Sequence, residues 1–434
     1  MTDSALDRLD VALSAIAAKN GDWSIVTAMD AERARAAAKA SDRRRSAGRA
    51  LGPLDGQLLG IKDNIAVAGL PWTGGLGARR DEIATEDAPV VASLRAAGAI
   101  PFAMLNMHEG ALGATTDNPH FGRAANPLDP TRTPGGSSGG SGAALAADFV
   151  DITLGTDTMG SVRIPAAYCG VAGLKPTRGL VPRSGLLYLS PTLDTIGPLA
   201  RDVATLAAMI EVMAQTDPRD PSSLPHPKGW NPTPEGTLPR GLSVGIPKQI
   251  RDVDCEDDVL DGLVLASRVL GAAGARIVDI DLAGWRPGPA RRGGLLVSEA
   301  EGAVELADIL VRPGSDLMSD PLRALLTYGR DLPSARMVEG YARVHAAAAA
   351  AERALAEVDV LLMPTAPQRA FPHAEPAPAN QADLTALANF HGGPALALPV
   401  PGDPLPTSVQ ILGPAFSEAL VLTLGRVLEG NFRR

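Results

Sequence analysis

The chain has 434 residues, 45% of them hydrophobic and 21% charged, which is an ordinary composition for a soluble globular protein. This length allows one large α/β domain or two to three smaller domains. The net charge of −9 argues against nucleic acid or an anionic membrane as the main partner, because both are bound by basic surfaces.

Hydrophobic periodicity predicts helices and strands that alternate along the first half of the chain. Two helices are expected in the N-terminal 4–48, and Asp30 is a good N-cap for the second. Residues 109–131 and 177–198 are expected to be mostly irregular. The predicted first-half elements are helices at 4–19, 30–48, 88–98 and 202–214, a strand that ends at 61–64, and a strand at 100–104.

The second half of the chain continues the alternation after a segment that is rich in proline. Seven prolines within 217–240 predict either a domain boundary or a long surface excursion. The whole pattern is typical of one sheet with helices on both faces, in which late strands return to an early core. The predicted second-half elements are strands at 242–246, 276–281, 359–363, 395–399 and 407–412, and helices at 256–272, 295–311, 334–357, 383–390 and 417–429.

The two cysteines, Cys169 and Cys255, lack the spacing of a metal site or a disulfide framework, so we expect free thiols. The acidic N-terminus lacks the apolar core of a signal peptide, and prolines or aspartates interrupt every long apolar run. These features predict a cytoplasmic protein without a membrane anchor or a metal site.

Two loops rich in glycine and serine carry the candidate chemistry. The first, at 135–142, reads GGSSGGSG, fits the GxSxG elbow pattern around Ser138, and could also cradle a phosphate. It lacks the Gly-Lys-Ser/Thr ending of a P-loop. The second, at 156–161, reads TDTMGS and could present backbone N–H groups around Ser161 as an oxyanion nest. Each loop alone is a weak signal.

Cleavage of an amide needs a nucleophile, a base and donors for the oxyanion. The six histidines lie outside any suggestive motif, which favours structural or surface roles for them. Lys62 is the other candidate base, provided that burial lowers its pKa toward neutrality. The apolar residues before it make burial plausible, and the alternative is a surface lysine paired with Asp63.

The combination of motifs is much more specific than any one of them. Lys62 in GIKDN, the GGSSGGSG loop, and DTMGSVRIPAA with its serine 24 residues after Ser137 together resemble the amidase signature family. AAYCG and GLKPT, which follow, extend the resemblance, as does Gln410 near the end. The resemblance implies a single large α/β domain over 1–434, with a central mixed β-sheet covered by helices on both faces.

The resemblance also implies roles for individual residues. Ser161 would be the nucleophile, and Ser137, on a cis peptide bond, would relay its proton to neutral Lys62. Ser138 would support the relay through hydrogen bonds. The oxyanion would be held by the backbone N–H groups of Thr158, Met159, Gly160 and Ser161.

Three residues of the second loop need separate interpretation. Asp157 and Arg163 flank Ser161, and we expect a buried ion pair that fixes the loop, with a substrate-carboxylate clamp by Arg163 as the alternative. Met159 departs from the glycine that is usual in the family. Its backbone N–H remains available, and we expect its side chain to narrow or reshape the acyl pocket.

We therefore predict an amidohydrolase that cleaves a small carboxamide through a serine acyl-enzyme, without metal or organic cofactor. The alternative within the family is an A-subunit-like glutaminase component of a tRNA-dependent amidotransferase or another multi-subunit amidase. Outside it, the alternatives are a non-catalytic phosphate-binding module and a Ser-His-Asp esterase that uses Ser138. The expected partner is a small-molecule amide and, by family resemblance, a second copy of the chain in a homodimer.

Overall fold

The computed structural model describes residues 4–402 and 405–432, in which helices and strands alternate. The strands are β1 (Val26–Met29), β2 (Leu58–Lys62), β3 (Ile100–Leu105), β4 (Asp117–Asn118), β5 (Gly122–Arg123), β6 (Ile152–Asp157), β7 (Ala172–Lys175), β8 (Thr195–Ala200), β9 (Ser243–Pro247), β10 (Arg276–Ile280), β11 (Val360–Pro364), β12 (Ala395–Val400) and β13 (Thr407–Leu412). The helices are α1 (Ala5–Trp23), α2 (Ala31–Ser46), α3 (Pro89–Ala96), α4 (Gly139–Ala146), α5 (Arg163–Cys169), α6 (Val203–Met213), α7 (Asp257–Ala272), α8 (Pro287–Glu305), α9 (Ala307–Leu310), α10 (Asp320–Arg330), α11 (Ser334–Leu355), α12 (Ala386–His391) and α13 (Glu418–Phe432).

In the described ranges, eleven strands form one sheet in the order β1-β3-β2-β6-β8-β7-β12-β13-β11-β9-β10, and β4 and β5 form a separate ribbon. Strands β3, β2 and β6 are mutually parallel, as are β11, β9 and β10. The strands between these two groups pair antiparallel, and β12 joins β7 from the first half of the chain. The predicted α/β fold with a central mixed sheet is confirmed.

The two faces of the sheet are visible in β2, where successive side chains point to opposite sides. Leu58 packs in a core that includes residues of α1, α2, α4 and α5, whereas Leu59 and Ile61 belong to a larger core with α6, α7 and α13. Lys62 has the same phase as Leu58, so its side chain points toward the layer that contains α4 and α5.

Several elements differ from the expectations. Asp30 caps α2 as predicted, because its side chain accepts a hydrogen bond from the Arg33 N–H. Strand β8 begins inside the segment predicted to be irregular, since Gly197 and Pro198 interrupt its apolar pattern. Strand β8 pairs with β7 only through Leu199 and Ala200. Pro198, which has no N–H to donate, therefore lies outside that ladder. Strands β1 and β7 and helices α4, α5 and α10 were also not predicted.

The proline-rich segment at 217–240 contains no helix or strand and runs along the surface. It is attached by the Trp230 indole N–H, which donates to Glu418 at 3.0 Å, and by the Glu235 N–H, which donates to Thr423 at 2.8 Å. Both acceptors belong to α13, the last helix. Among the described residues, no helix combines the length and the apolar character needed to cross a bilayer.

Candidate active site

The sheet brings the three motifs to one place. Lys62 ends β2, which runs parallel to β6, so the loop after β6 with Ser161 leaves the same edge of the sheet. Helix α4 begins directly after Ser137 and Ser138 and lies very close to its neighbours. A Cβ on Gly140 would collide with the Asn106 carbonyl oxygen, so the glycines of the first loop permit this approach.

Lys62 is completely buried, and its amine contacts two hydroxyl groups. The Lys62 Nζ lies 2.7 Å from Ser137 Oγ and 2.7 Å from Thr156 Oγ1. Asn64 Nδ2 donates to the same Thr156 oxygen at 3.2 Å, which fixes its position. Asp63 turns away and accepts hydrogen bonds from Thr73, so the alternative of a surface lysine paired with Asp63 does not hold.

The environment of Lys62 disfavours its charged form. Burial lowers the pKa of Lys62 to about 7, although the carboxylates of Asp194 and Asp157 oppose this change. A large fraction of the amine is therefore uncharged near neutral pH. An uncharged amine can accept a proton from the hydroxyl at 2.7 Å, which a protonated one cannot.

The two serines of the first loop make different contacts. The Gly136–Ser137 peptide bond is cis, and the Ser137 hydroxyl meets Lys62. The Ser138 hydroxyl instead donates to the Thr156 carbonyl at 3.1 Å and lies 3.2 Å from the Thr156 N–H, which donates to it. The Ser138 N–H also donates to the Ser161 carbonyl at 3.2 Å, which ties the two loops together. This geometry gives Ser138 a supporting position and disfavours it as an esterase nucleophile.

The second loop folds around the Asp157 carboxylate, which accepts hydrogen bonds from the N–H groups of Gly160 at 2.6 Å and Val162 at 3.2 Å. The Gly160 N–H is therefore committed to Asp157, which differs from the expectation that it points to an oxyanion. Among the described residues, the N–H groups of Thr158, Met159 and Ser161 have no protein acceptor. Three of the four predicted donors thus remain available to a ligand.

Glycine is required at position 160. Its φ is +134°, and a Cβ there would collide with Thr385 Oγ1. That hydroxyl donates to the Met159 carbonyl at 2.6 Å, so the residue directly before α12 holds the second loop in position.

Arg163 and Asp157 form a fully buried ion pair. Arg163 donates to Asp157 through Nε at 3.0 Å and Nη2 at 2.9 Å, and its other N–H groups reach the Thr385 carbonyl, Gln410 and Asn389 at 2.7–2.8 Å. Burial alone would raise the pKa of Asp157, but the guanidinium lowers it to about 2. All five donors of Arg163 are used, so none is left for the alternative role as a substrate clamp.

Ser161 opens onto a cavity of about 140 Å³, which we call the Ser161 cavity. Ser161 retains 9% of its exposure, whereas Ser137 and Ser138 are fully buried. Met159 forms part of the wall, and a Cβ on Gly294 of α8 would lie 2.6 Å from its sulfur. The cavity is lined by Ala111, Leu112, Gly113, Ala114, Thr158, Met159, Ser161, Ile164, Leu189, Arg291, Leu295, Pro378, Ala379, Gln381 and Ala382.

Sequence reasoning gave no role to several residues that build the site. Thr156 was included in the second loop without a role, because nothing in its local sequence indicates a contact with Lys62. Nothing in the local sequence indicates that Asp194 accepts a hydrogen bond from Thr158, or that Gln410 accepts one from Arg163. No histidine side chain in the described ranges hydrogen-bonds to Ser137, Ser138 or Ser161. The His108 backbone N–H donates to the Ser137 carbonyl at 3.0 Å.

Comparison with known proteins places the chain in a family. A sequence model of the family described as Amidase matches residues 9–422. The A subunit of the glutamyl-tRNA(Gln) amidotransferase of Chloroflexus aurantiacus is 37% identical over 427 residues, covering 90% of this chain and 85% of the relative.

Solved structures agree with this match. One comes from work on a vestigial protein complex that reveals the evolutionary origins of an s-triazine catabolic enzyme. It has a TM-score of 0.91 at 32% identity, covering 99% of this chain and 95% of its own. The native peptide amidase of Stenotrophomonas maltophilia has a TM-score of 0.86 at 27% identity, covering 99% and 94%. The chain therefore belongs to the amidase family, which confirms the resemblance of its motifs to amidase signature enzymes.

Proposed function

We propose that this amidase-family enzyme hydrolyses a small carboxamide, with Ser161 as the nucleophile, Ser137 as the proton relay and Lys62 as the base. The observation that carries the proposal is the Lys62 amine, which is fully buried, has a pKa lowered to about 7, and lies 2.7 Å from Ser137 Oγ. A buried amine of this kind can hold the proton that the nucleophile must lose.

The proposed reaction proceeds in two steps. The Ser161 hydroxyl adds to the amide carbonyl as its proton passes through Ser137 to Lys62. The C–N bond then breaks, and the same relay returns the proton to the departing ammonia or amine. In the second step water adds to the acyl-enzyme and releases the carboxylate and Ser161. The relay needs no metal or organic cofactor.

The oxyanion requires donors that do not have to reorganise during the reaction. The N–H groups of Thr158, Met159 and Ser161 are suitable, because no described residue accepts a hydrogen bond from them. The Arg163–Asp157 pair supports this role indirectly, since it anchors the loop that carries these donors.

The assignment is tested with two variants and two readouts. We expect Ser161→Ala to abolish ammonia release from a panel of small carboxamides and to abolish labelling by a sulfonyl fluoride reagent. In Ser138→Ala the label should still map to Ser161. Label on Ser138 in the wild type, or turnover that survives in Ser161→Ala, would contradict the assignment.

A second candidate function is the release of ammonia from glutamine for a partner protein. It is favoured by the 37% identity to the A subunit of a glutamyl-tRNA(Gln) amidotransferase, a protein that is one component of a larger enzyme. This function predicts that glutamine is the best substrate and that turnover increases when partner subunits are added. Full activity of the isolated chain on other carboxamides, with none on glutamine, would exclude it.

A further inference from the structure

Within the described part of the chain, Arg291 of α8 is the one charged residue that lines the Ser161 cavity. Apart from Ser161, the other polar side chains of the wall are already engaged. Thr158 Oγ1 donates to Asp194 at 2.5 Å, and Gln381 Nε2 donates to the Pro378 carbonyl at 3.2 Å. Most of the remaining wall is apolar, and a guanidinium in such a wall favours an anionic ligand.

The guanidinium of Arg291 is only partly used by the protein. Its Nε donates to Asp383 Oδ1 at 2.5 Å, and its side chain is 13% exposed. No residue in 4–402 or 405–432 accepts a hydrogen bond from Nη1 or Nη2. Because these two groups form the planar fork that binds carboxylates in a bidentate manner, Arg291 retains an unused recognition surface.

We propose that the preferred substrate is a short-chain amide whose acyl group ends in a carboxylate, which Arg291 binds while the amide carbonyl lies at Ser161. This inference rests on the proposed function of Ser161. The chain must be short because the cavity has a volume of about 140 Å³, well below the roughly 300–1,000 Å³ of pockets for drug-sized ligands.

The test compares substrates that differ only in charge. The monoamides malonamate, succinamate and glutaramate end in a carboxylate, and the diamides malonamide, succinamide and glutaramide are their neutral counterparts of nearly equal shape. We expect wild-type kcat/KM to favour one monoamide over its diamide by about 10- to 100-fold, the range of one charge-assisted interaction. The best chain length then reports the span between Arg291 and Ser161.

Variants of neighbouring residues assign the preference. In Arg291→Met the ratio of monoamide to diamide should fall to about one, whereas Arg291→Lys should retain part of it. The matched control is Arg292→Met, which changes an exposed arginine outside the cavity wall and should leave the ratio unchanged. Asp383→Asn removes the internal carboxylate that competes for Arg291 and should increase the ratio.

The outcomes separate this inference from the proposed function. If the wild type hydrolyses no amide, the proposed function fails. If it hydrolyses diamides as well as monoamides, or if Arg291→Met lowers both equally, only the carboxylate inference is overturned. If Arg291→Met does not fold, as judged by its thermal unfolding, the ratios of monoamide to diamide in Arg291→Lys and Asp383→Asn decide, because these ratios should shift in opposite directions. If neither ratio shifts, the inference is overturned.

Discussion

Replacement of Arg163 by methionine tests how the second loop is held. The substitution leaves the Asp157 carboxylate fully buried without its cation, and it removes donors from the Thr385 carbonyl, Asn389 and Gln410. Removal of one partner of a buried pair typically costs about 3–5 kcal/mol of unfolding free energy. We expect a loss of at least this size at pH 7, together with a large loss of turnover.

The dependence on pH gives a second, independent readout. In the wild type the pKa of Asp157 falls from its usual 3.8 to about 2. At about 1.36 kcal/mol for each pH unit, this difference contributes about 2 kcal/mol to stability. Because the unfolded chain binds more protons between pH 3.8 and 2, this contribution is present above pH 3.8 and is lost as the pH falls through that window.

In Arg163→Met the sign reverses. Burial, now unopposed by the guanidinium, raises the pKa of Asp157 above its usual value, so the folded variant binds a proton more readily than the unfolded one. The variant should therefore gain stability relative to the wild type as the pH falls from 7 toward 4. Asp157→Asn in the same chain should recover part of the loss at pH 7.

The assay is urea unfolding followed by tryptophan fluorescence at several pH values, with Arg292→Met as a control for the loss of a surface guanidinium. A loss below about 1 kcal/mol at pH 7 would refute the view that the pair is the buried anchor of the loop. A pH dependence parallel to that of the wild type would refute the assignment of the effect to Asp157.

Three further predictions concern the relay and the acyl pocket. As the proposed base, Lys62 would have to be uncharged, so kcat/KM should rise with pH, level off above about 7, and follow the pKa of that amine; a flat profile from about pH 5 to 9 would contradict this. Thr156→Val removes a hydroxyl that orients the Lys62 amine, so kcat should fall about tenfold with little change in KM, whereas an equal change in both would indicate a role in binding. In Gly294→Ala the new methyl group would lie 2.6 Å from the Met159 sulfur and 2.7 Å from the Phe390 ring, so we expect a loss of roughly 1–3 kcal/mol in thermal unfolding and a changed acyl preference that Met159→Gly partly reverses. Unchanged substrate profiles in both variants would show that Met159 does not shape the pocket.

The part of the site that the sequence predicts is the part encoded by contiguous motifs. The apolar residues before Lys62 indicated its burial, and the glycines around Ser137 and Ser161 indicated tight loops. The same alternation of apolar segments predicted the α/β class and some of the elements that position the site, such as β2 and β13, but not α4 or α5.

The unpredicted part depends on contacts between distant segments. Nothing near Arg163 shows that Asn389 and Gln410 complete its hydrogen bonds, because those residues lie 226 and 247 positions away. The commitment of the Gly160 N–H to Asp157 depends on the exact path of the loop, which composition does not determine. Strand β8 was missed for a different reason, since glycine and proline interrupt its pattern although tertiary pairing keeps it in the sheet.

The long sequence separation of the Arg163 contacts has a consequence for biosynthesis. A nascent chain that has passed residue 200 already contains Lys62, Ser137 and Ser161, yet it lacks the acceptors that α12 and β13 supply to Arg163. Until those segments leave the ribosome, the Arg163 guanidinium cannot be buried with all of its N–H groups hydrogen-bonded. The hydrolytic centre therefore matures only after nearly the whole polypeptide has been translated, and C-terminal truncation products should be inert.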